Sequence, residues 1–368
     1  MEDRVNKDLY YMRRALELAK KGKGRTSPNP MVGCVIVKND KVIGEGYHQK
    51  AGSPHAEIVA LNSVIEDTHD STIYVTLEPC THFGKTPPCI SKVIEARPKR
   101  VVIAMQDPNP IVSGKGIDLL KSSGIEVLVG ILEEEARKLN EIFIKYITQK
   151  IPFVIAKWAM TMDGKIATIT GDSKYISAPD SLKIVHSLRN EVDAVLVGGK
   201  TVLEDNPLLT VRHVDGSHRN PIRIILDTRN GLSEDLNVFK DRTIAPTWIV
   251  TTYNRNYSFV DRIIKLKSTE KGYIPLTELM QELGKLEISS LLIEGGGTVF
   301  ASAFQEKIVD KVYSFICPKI FGGENAISPV MGYGIAQKVD DAINLRISSI
   351  KKLDKDVLIE SYVIKQKV

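Results

Sequence analysis

Three short segments of this 368-residue chain hold side chains that few folds bring together: His55-Ala56-Glu57, Pro79-Cys80 and Pro87-Pro88-Cys89. One imidazole and two thiols suit a zinc ion that keeps a fourth position open for a reactant. Glu57, two residues after the histidine, is placed to carry protons without binding the metal. The constraint on the fold is positional. His55 follows the turn Gly52-Ser53-Pro54 and precedes Ala56, Val59, Ala60 and Val64 at helical spacing. It therefore stands at a helix N-terminus, with Glu57 in the first turn. Cys80 follows the run Thr72–Leu77, which reads as a strand, and Cys89 enters a short helix opened by Pro87-Pro88. Ligands at strand ends and helix starts imply an α/β/α layered domain. The expected chemistry, with one zinc per chain, is hydrolytic deamination at an amidine-like ring carbon. The metal lowers the pKa of a bound water, and Glu57 passes its proton to ring nitrogen and leaving ammonia. A purely structural zinc needs a fourth protein ligand, for which His82 is the nearest competitor.

The flanking sequence supplies the rest of such a domain. Residues 7–21 carry Leu9, Met12, Leu16 and Ala19 on one helical face. Val32–Val37 and the stretch through Val42-Ile43 read as a hairpin, with Cys34 as a buried structural thiol. Strands are expected at Arg100–Met105 and Ile125–Val129, with a helix after Gly116 between them. Residues 131–147 read as one amphipathic helix whose apolar face packs on this first domain, with Glu133-Glu134-Glu135 in its first turn. Lys150-Ile151-Pro152 breaks the pattern, so a first domain is expected over 1–147 and a second over 151–368.

The second domain alternates again. Phe153–Ala159, Asp193–Gly199, Ile222–Leu226, Thr247–Val250 and Leu291–Ile293 read as buried strands, and a helix capped by Ser177 runs to about Asn190. Val312–Ile316 and Val357–Val363 read as late antiparallel strands. Leu291–Ile293 runs into Glu294-Gly295-Gly296-Gly297-Thr298 and then a helix. Glycines at such a turn let main-chain N–H groups approach a diphosphate. A tight turn with no ligand fits these residues equally well.

Longer motifs carry a resemblance. His55-Ala56-Glu57 and Pro79-Cys80 look like the cytidine deaminase superfamily, which usually spaces its cysteines as Pro-Cys-x-x-Cys. Here eight residues separate Cys80 from Cys89. Thr76 through Cys89, Ser27-Pro28-Asn29-Pro30-Met31-Val32-Gly33 and Asp107-Pro108-Asn109-Pro110 with Gly114-Lys115-Gly116 are similar to the deaminase half of the bifunctional riboflavin-biosynthesis deaminase/reductase family. Thr161-Met162-Asp163-Gly164-Lys165, Gly171-Asp172-Ser173, Asp193 through Gly199 with Thr201, Asp205-Asn206-Pro207 and Glu294-Gly295-Gly296 resemble its reductase half, of dihydrofolate-reductase-like α/β fold. The resemblance implies deamination of a diaminopyrimidinone bearing a ribosylamino 5′-phosphate, then NADPH reduction of the ribosyl group to a ribityl chain. It implies Asn29, His48, His82, Lys85 and Asn109 around the first substrate. It implies Ala159, Thr161, Tyr175, Thr201, Asp205, Asp227, Gly295, Gly296, Gly297 and Thr298 along NADPH. Ser173, Arg189, Leu209, Arg212 and Glu294 then face the sugar phosphate, and Lys157 and Asp205 are the candidate polarising or protonating groups. Position 175, commonly Trp in that family, is Tyr here.

Composition narrows the alternatives. Hydrophobic residues at 43% support real cores. The formal net charge of +5 is spread out and forms no arginine-rich arm, which suits small phosphorylated substrates and argues against nucleic-acid binding. No apolar run reaches the ~20 residues that span a bilayer. The N-terminus lacks a signal-peptide pattern, and four cysteines form no disulfide scaffold. A cytoplasmic enzyme without membrane partners is expected, as a homodimer or homotetramer. The rival enzyme reading is a nucleoside or tRNA deaminase with an unrelated appended domain, which predicts the short cysteine spacing. A zinc-stabilised ligand sensor is the non-enzyme rival, and it requires Glu57 to be dispensable.

Overall fold

Apolar runs become strands, and the polar-faced runs between them become helices laid on the sheets. The computed structural model describes residues 2–82, 87–214, 218–229, 231–270 and 272–365. It divides into two units, Met1–Lys150 and Ile151–Val368.

In the first unit the order is α1 (Glu2–Lys20), β1 (Gly33–Lys38), β2 (Lys41–Tyr47), α2 (Ala56–Asn62), β3 (Thr72–Val75), α3 (Ile90–Glu95), β4 (Arg100–Ile103), α4 (Lys115–Ser122), β5 (Glu126–Val129), α5 (Glu133–Leu139) and α6 (Glu141–Gln149). The sheet order is β2-β1-β3-β4-β5. β1 is antiparallel to both neighbours, and β3, β4 and β5 are parallel. Met12, Leu16, Val35, Ile36, Ile73, Val102 and Leu120 join one core. At its edge Asp8 is buried and accepts from Arg100 through Nη1 and Nη2, at 2.7 and 2.8 Å, and from the Tyr74 hydroxyl at 2.9 Å.

The single helix expected over 131–147 is two. Asn140 breaks it at φ −104° and ψ 20°. Its side chain accepts from the Met31 N–H and donates to the Met31 carbonyl, so a distant main-chain pairing outcompetes helix continuation. Ala136 and Phe143 nonetheless bury on the first unit's core, and Glu133–Glu135 occupy the first turn of α5.

The second unit contains β6 (Phe153–Thr161), α7 (Pro179–Glu191), β7 (Ala194–Gly198), α8 (Gly199–Asp205), β8 (Ile222–Asp227), α9 (Asn237–Lys240), β9 (Thr247–Thr251), β10 (Arg262–Lys265), α10 (Leu276–Lys285), β11 (Ser290–Gly295), α11 (Gly297–Gln305), β12 (Lys311–Cys317), β13 (Leu345–Lys352) and β14 (Val357–Val363). The nine-stranded sheet runs β10-β9-β8-β7-β11-β6-β12-β14-β13. β12 is parallel to β6 and antiparallel to β14, so the antiparallel edge is β14 and β13. Both faces of the parallel part are covered. Leu196 and Ile224 belong to one core, while their neighbours Val195, Val197 and Ile225 belong to the other.

The N-cap of helix α7 falls one residue later than expected, at Ala178 in place of Ser177, and supplies no side-chain bond. Asp356, from the β13–β14 turn, accepts from the Ala178 N–H and the Ser181 hydroxyl instead. Cys34 and Cys317 are fully buried, and burial pushes the Cys317 thiol up to about 12.

Candidate active sites

The first site assembles where β3 ends and α2 and α3 begin. His55 is the N-cap residue of α2 and Cys89 that of α3. The ligand atoms of His55, Cys80 and Cys89 all lie within 4.8 Å of one another, the one such cluster among the described residues. His55 Nδ1 and Cys89 Sγ are each 3.4 Å from Cys80 Sγ. Main-chain N–H groups also point at the sulfurs, from Cys80 to Cys89 Sγ at 3.2 Å and from Cys89 to Cys80 Sγ at 3.3 Å. Such donors favour thiolates, so this set fits zinc. The Cys89 thiol, donating to Cys80, holds the Cys80 thiol low, while the same bond raises Cys89. The bond to Cys80 raises His55.

Glu57 lies in the first turn of α2, buried, with Oε1 3.1 Å from Cys89 Sγ. Burial raises its carboxyl above the ordinary range, which suits a group that must both take and give a proton.

Around this cluster His48 is 3% exposed, its ring edge-on to His55 at 5.7 Å between centroids. His48 Nδ1 lies 3.1 Å from the Pro54 carbonyl, which can only accept, so the proton sits there. His48 Nε2 then accepts from Asn29 Nδ2 at 3.2 Å. Burial lowers the His48 pKa and keeps the ring neutral. Asn109 is half-buried in the loop after β4, where its Oδ1 accepts from the Ile111 N–H. Burial raises the neighbouring Asp107 to about 6, with smaller contributions from the charges of Glu78 and Cys80. His82 is exposed, and Lys85 lies outside the described residues.

Sequence reasoning passed over Glu78. It is 2% exposed and accepts four main-chain N–H bonds, from Asp107, Gly114, Gly116 and Ile117. Its place between a strand and Pro79-Cys80 was the available signal.

In the second unit a cavity of about 1000 Å³ opens at the carboxyl ends of the strands. Lys157, Ala159, Ser173 and Tyr175 line one part. Thr201, Asp205 and Asp227 line another, and Glu294 and Gly295–Thr298 form a third. The turn from β11 to α11 is built for close approach. Gly296 has φ 89°, and a Cβ on Gly297 would lie 2.5 Å from Met331 Cγ and 3.0 Å from the Ser328 carbonyl. A bare main chain leading into a helix N-terminus, next to the start of α8, fits the diphosphate of a dinucleotide.

Ionic groups stand beside this turn. Glu294 accepts from Arg189 Nη2 at 2.8 Å and lies 3.7 Å from Lys157 Nζ. Burial alone would raise Glu294, but Arg189 and then Lys157 pull it down to about 2. Burial lowers Lys157. Ser173 Oγ donates to Asp205 Oδ1 at 3.3 Å, and burial raises Asp205. Asp227 accepts from the Tyr257 hydroxyl and the Arg229 N–H.

Four expected residues do not line the cavity. Thr161 is fully buried, its hydroxyl donating to Asp163. Arg189 stands behind Glu294 and also donates to the Thr210 carbonyl. Leu209 packs in a core. Arg212 donates its main-chain N–H to Nδ1 of His186, a buried ring that burial, then Arg189 and Arg212, lower to about 4.

Comparison with known proteins follows this division. Residues 5–105 match the cytidine and deoxycytidylate deaminase zinc-binding region, and residues 152–359 match the RibD C-terminal domain. A riboflavin biosynthesis protein RibD from Aquifex aeolicus is 46% identical, covering 96% of this chain and 97% of its own. The Escherichia coli protein of that name is 38% identical over 95% of this chain and 98% of its own. A crystal structure of a diaminohydroxyphosphoribosylaminopyrimidine deaminase/5-amino-6-(5-phosphoribosylamino)uracil reductase from Thermotoga maritima is similar over 98% of this chain and all of that one, at 40% identity and TM-score 0.88. The second match removes the rival of a deaminase carrying an unrelated domain.

Proposed function

Because the chain belongs to the RibD family of bifunctional riboflavin-biosynthesis deaminase/reductases, we propose that it deaminates a diaminopyrimidinone carrying a ribosylamino 5′-phosphate and then reduces the ribosyl group with NADPH. The observation that carries the reading is the convergence of His55, Cys80 and Cys89 with Glu57 at their side. His55, Cys80 and Cys89 hold the zinc, which when bound supplies an acidified water. Glu57 takes one proton from water at its carboxylate and delivers it to the ring nitrogen, then carries a second, from the hydroxyl added to the ring carbon, to the amine that leaves as ammonia. The neutral His48 orients Asn29 toward the pyrimidine edge, and Asn109 faces that ring from the loop after β4.

In the second unit NADPH, when bound, supplies hydride to the sugar carbon C1′. The turn Gly295–Thr298 and Thr201 receive its diphosphate, with Ala159, Tyr175 and Asp227 along the rest of it. Lys157 and Asp205 polarise or protonate the opened sugar. Glu294 fixes Lys157 and Arg189, and Ser173 lines the sugar-phosphate side. Two features support a homo-oligomer in a reducing cytoplasm. The four cysteines are unpaired, and the edge strand β13 exposes Leu345, Ile347 and Ile350 at 42%, 56% and 63%. No helix among the described residues is long and apolar enough to cross a membrane.

The test supplies the phosphorylated diaminopyrimidinone with and without NADPH. Ammonia release in both cases, followed by loss of NADPH absorbance only where it was added, is expected. Ammonia without NADPH oxidation refutes the reductase half, and no ammonia refutes the deaminase half.

A further inference from the structure

Glu78 is a buried carboxylate with no part in the chemistry above, and its surroundings are unusually complete. Its Oε2 accepts from the Asp107 N–H at 3.1 Å and the Gly114 N–H at 3.0 Å. Its Oε1 accepts from the Gly116 N–H at 2.9 Å and the Ile117 N–H at 3.3 Å. Two of these donors belong to the first turn of α4, where a negative charge meets the positive end of the helix dipole. The main-chain N–H of Glu78 donates to the Met105 carbonyl at 3.0 Å, at the end of β4. The start of α4 also rests on the turn that carries Cys80, because a Cβ on Gly116 would lie 2.3 Å from the Pro79 carbonyl. One side chain thus joins the Cys80 turn to both ends of the loop 106–114. That loop is stiff: Asp107 Oδ1 accepts from the Asn109 N–H, and Asn109 Oδ1 accepts from the Ile111 N–H.

We infer that Glu78 is a positioning residue for the deamination, a clamp that sets Asn109 at a fixed distance from the zinc-holding turn. The inference rests on the reading that Asn109 faces the pyrimidine. The clamp requires an acceptor at both oxygens. Replacing Glu78 by Gln turns one acceptor into an NH2 group that faces two N–H donors, which cannot pair with it. Replacement by Asp keeps both acceptors but is one methylene short.

The experiment uses the full-length zinc-loaded chain and compares E78Q, E78D, N109A and the E78Q/N109A double variant. Four readings are taken: kcat and KM for ammonia release, zinc content, and NADPH oxidation on deaminated substrate as an internal control of folding. For E78Q we expect a roughly 10- to 100-fold loss in kcat/KM, carried mainly by KM, because a ground-state contact has moved. Zinc content and reductase turnover should stay at the wild-type level, and E78D should fall between wild type and E78Q. The double variant should be no more than about twofold worse than N109A, since the clamp acts through the residue already removed. The inference is overturned if E78Q leaves KM unchanged while N109A raises it, if E78Q strips zinc or lowers both activities, or if the two substitutions act additively. If N109A itself leaves KM unchanged, the role of Asn109 is wrong and the clamp has no target.

Discussion

At the deaminase site a few side chains from three elements meet within a few ångströms, whereas the reductase cavity is lined by residues of many elements, with the bare Gly295–Gly297 turn among them. The first arrangement concentrates chemistry in groups that cannot be exchanged. His55, Cys80, Cys89 and Glu57 each contribute one atom type at one place. The second distributes binding over many weak donors and depends on what is missing, since Gly296 and Gly297 work by having no side chain. Damage to the first should be abrupt and chemical, and damage to the second graded and steric.

The sharpest break is Glu57→Gln. It removes the proposed proton carrier and leaves His55, Cys80 and Cys89 in place, so ammonia release should fall about 10²–10⁴-fold. Zinc content and NADPH oxidation on deaminated substrate should not change. Full retention of turnover would end the account of this site, and with it the comparison.

Next is the ion pair that stiffens the deaminase unit. Asp8→Ala strands the buried Arg100 guanidinium, whose other carboxylate neighbour, Glu126, lies 3.3 Å away and is half-exposed. A loss of about 3–5 kcal/mol is expected in denaturant unfolding, confined to the first unit's transition.

The reductase side should show its own signature in acid. Glu294 has an ordinary value of 4.5 and is held at about 2 in the folded chain. A folded value below the unfolded one contributes stability that is present above pH 4.5 and lost as pH falls through about 2. The contribution is on the order of 3 kcal/mol. Thermal unfolding followed from pH 5 to 3 should show the second unit weakening, and E294Q should flatten that dependence. A slope unchanged in E294Q would place the acid sensitivity elsewhere.

The smallest effect belongs to the main-chain wall. Gly297→Ala puts a methyl group against Met331 and the Ser328 carbonyl. Overpacking of about 1–3 kcal/mol should weaken NADPH roughly tenfold or more by fluorescence titration, with ammonia release unaffected. Wild-type affinity in this variant would mean that close approach at the turn is not what binds the cofactor.

The same contrast explains what could be read from the chain alone. Zinc ligands announce themselves by residue type, and the strands around them are apolar runs, so β1, β3 and β4 and the cluster they carry were legible. The glycine turn at 295–297 was legible only as a turn, because main-chain donors have no letter of their own. Features decided by distant partners were not legible. Asn140 ends a helix because Met31 is beside it, and α7 is capped by Asp356 and not by Ser177. Glu78 reads as an ordinary acid until the loop it holds is seen. Edge strands such as β10 and β13 carry charges and exposed apolar side chains, so neither periodicity nor burial marked them.

The placement of β6 has a consequence for how this chain is made. The first unit's strands all pair with partners completed by Val129, so its sheet can close soon after it leaves the ribosome. β6 is the first strand of its sheet to emerge and ends in the middle, between β11, which begins at Ser290, and β12, which begins at Lys311. At synthesis rates of about 5–20 residues per second, both edges of that apolar strand wait on the order of ten seconds for their neighbours. The interval is a window for chaperones, and one in which an already folded deaminase unit shares a polypeptide with an unfinished reductase.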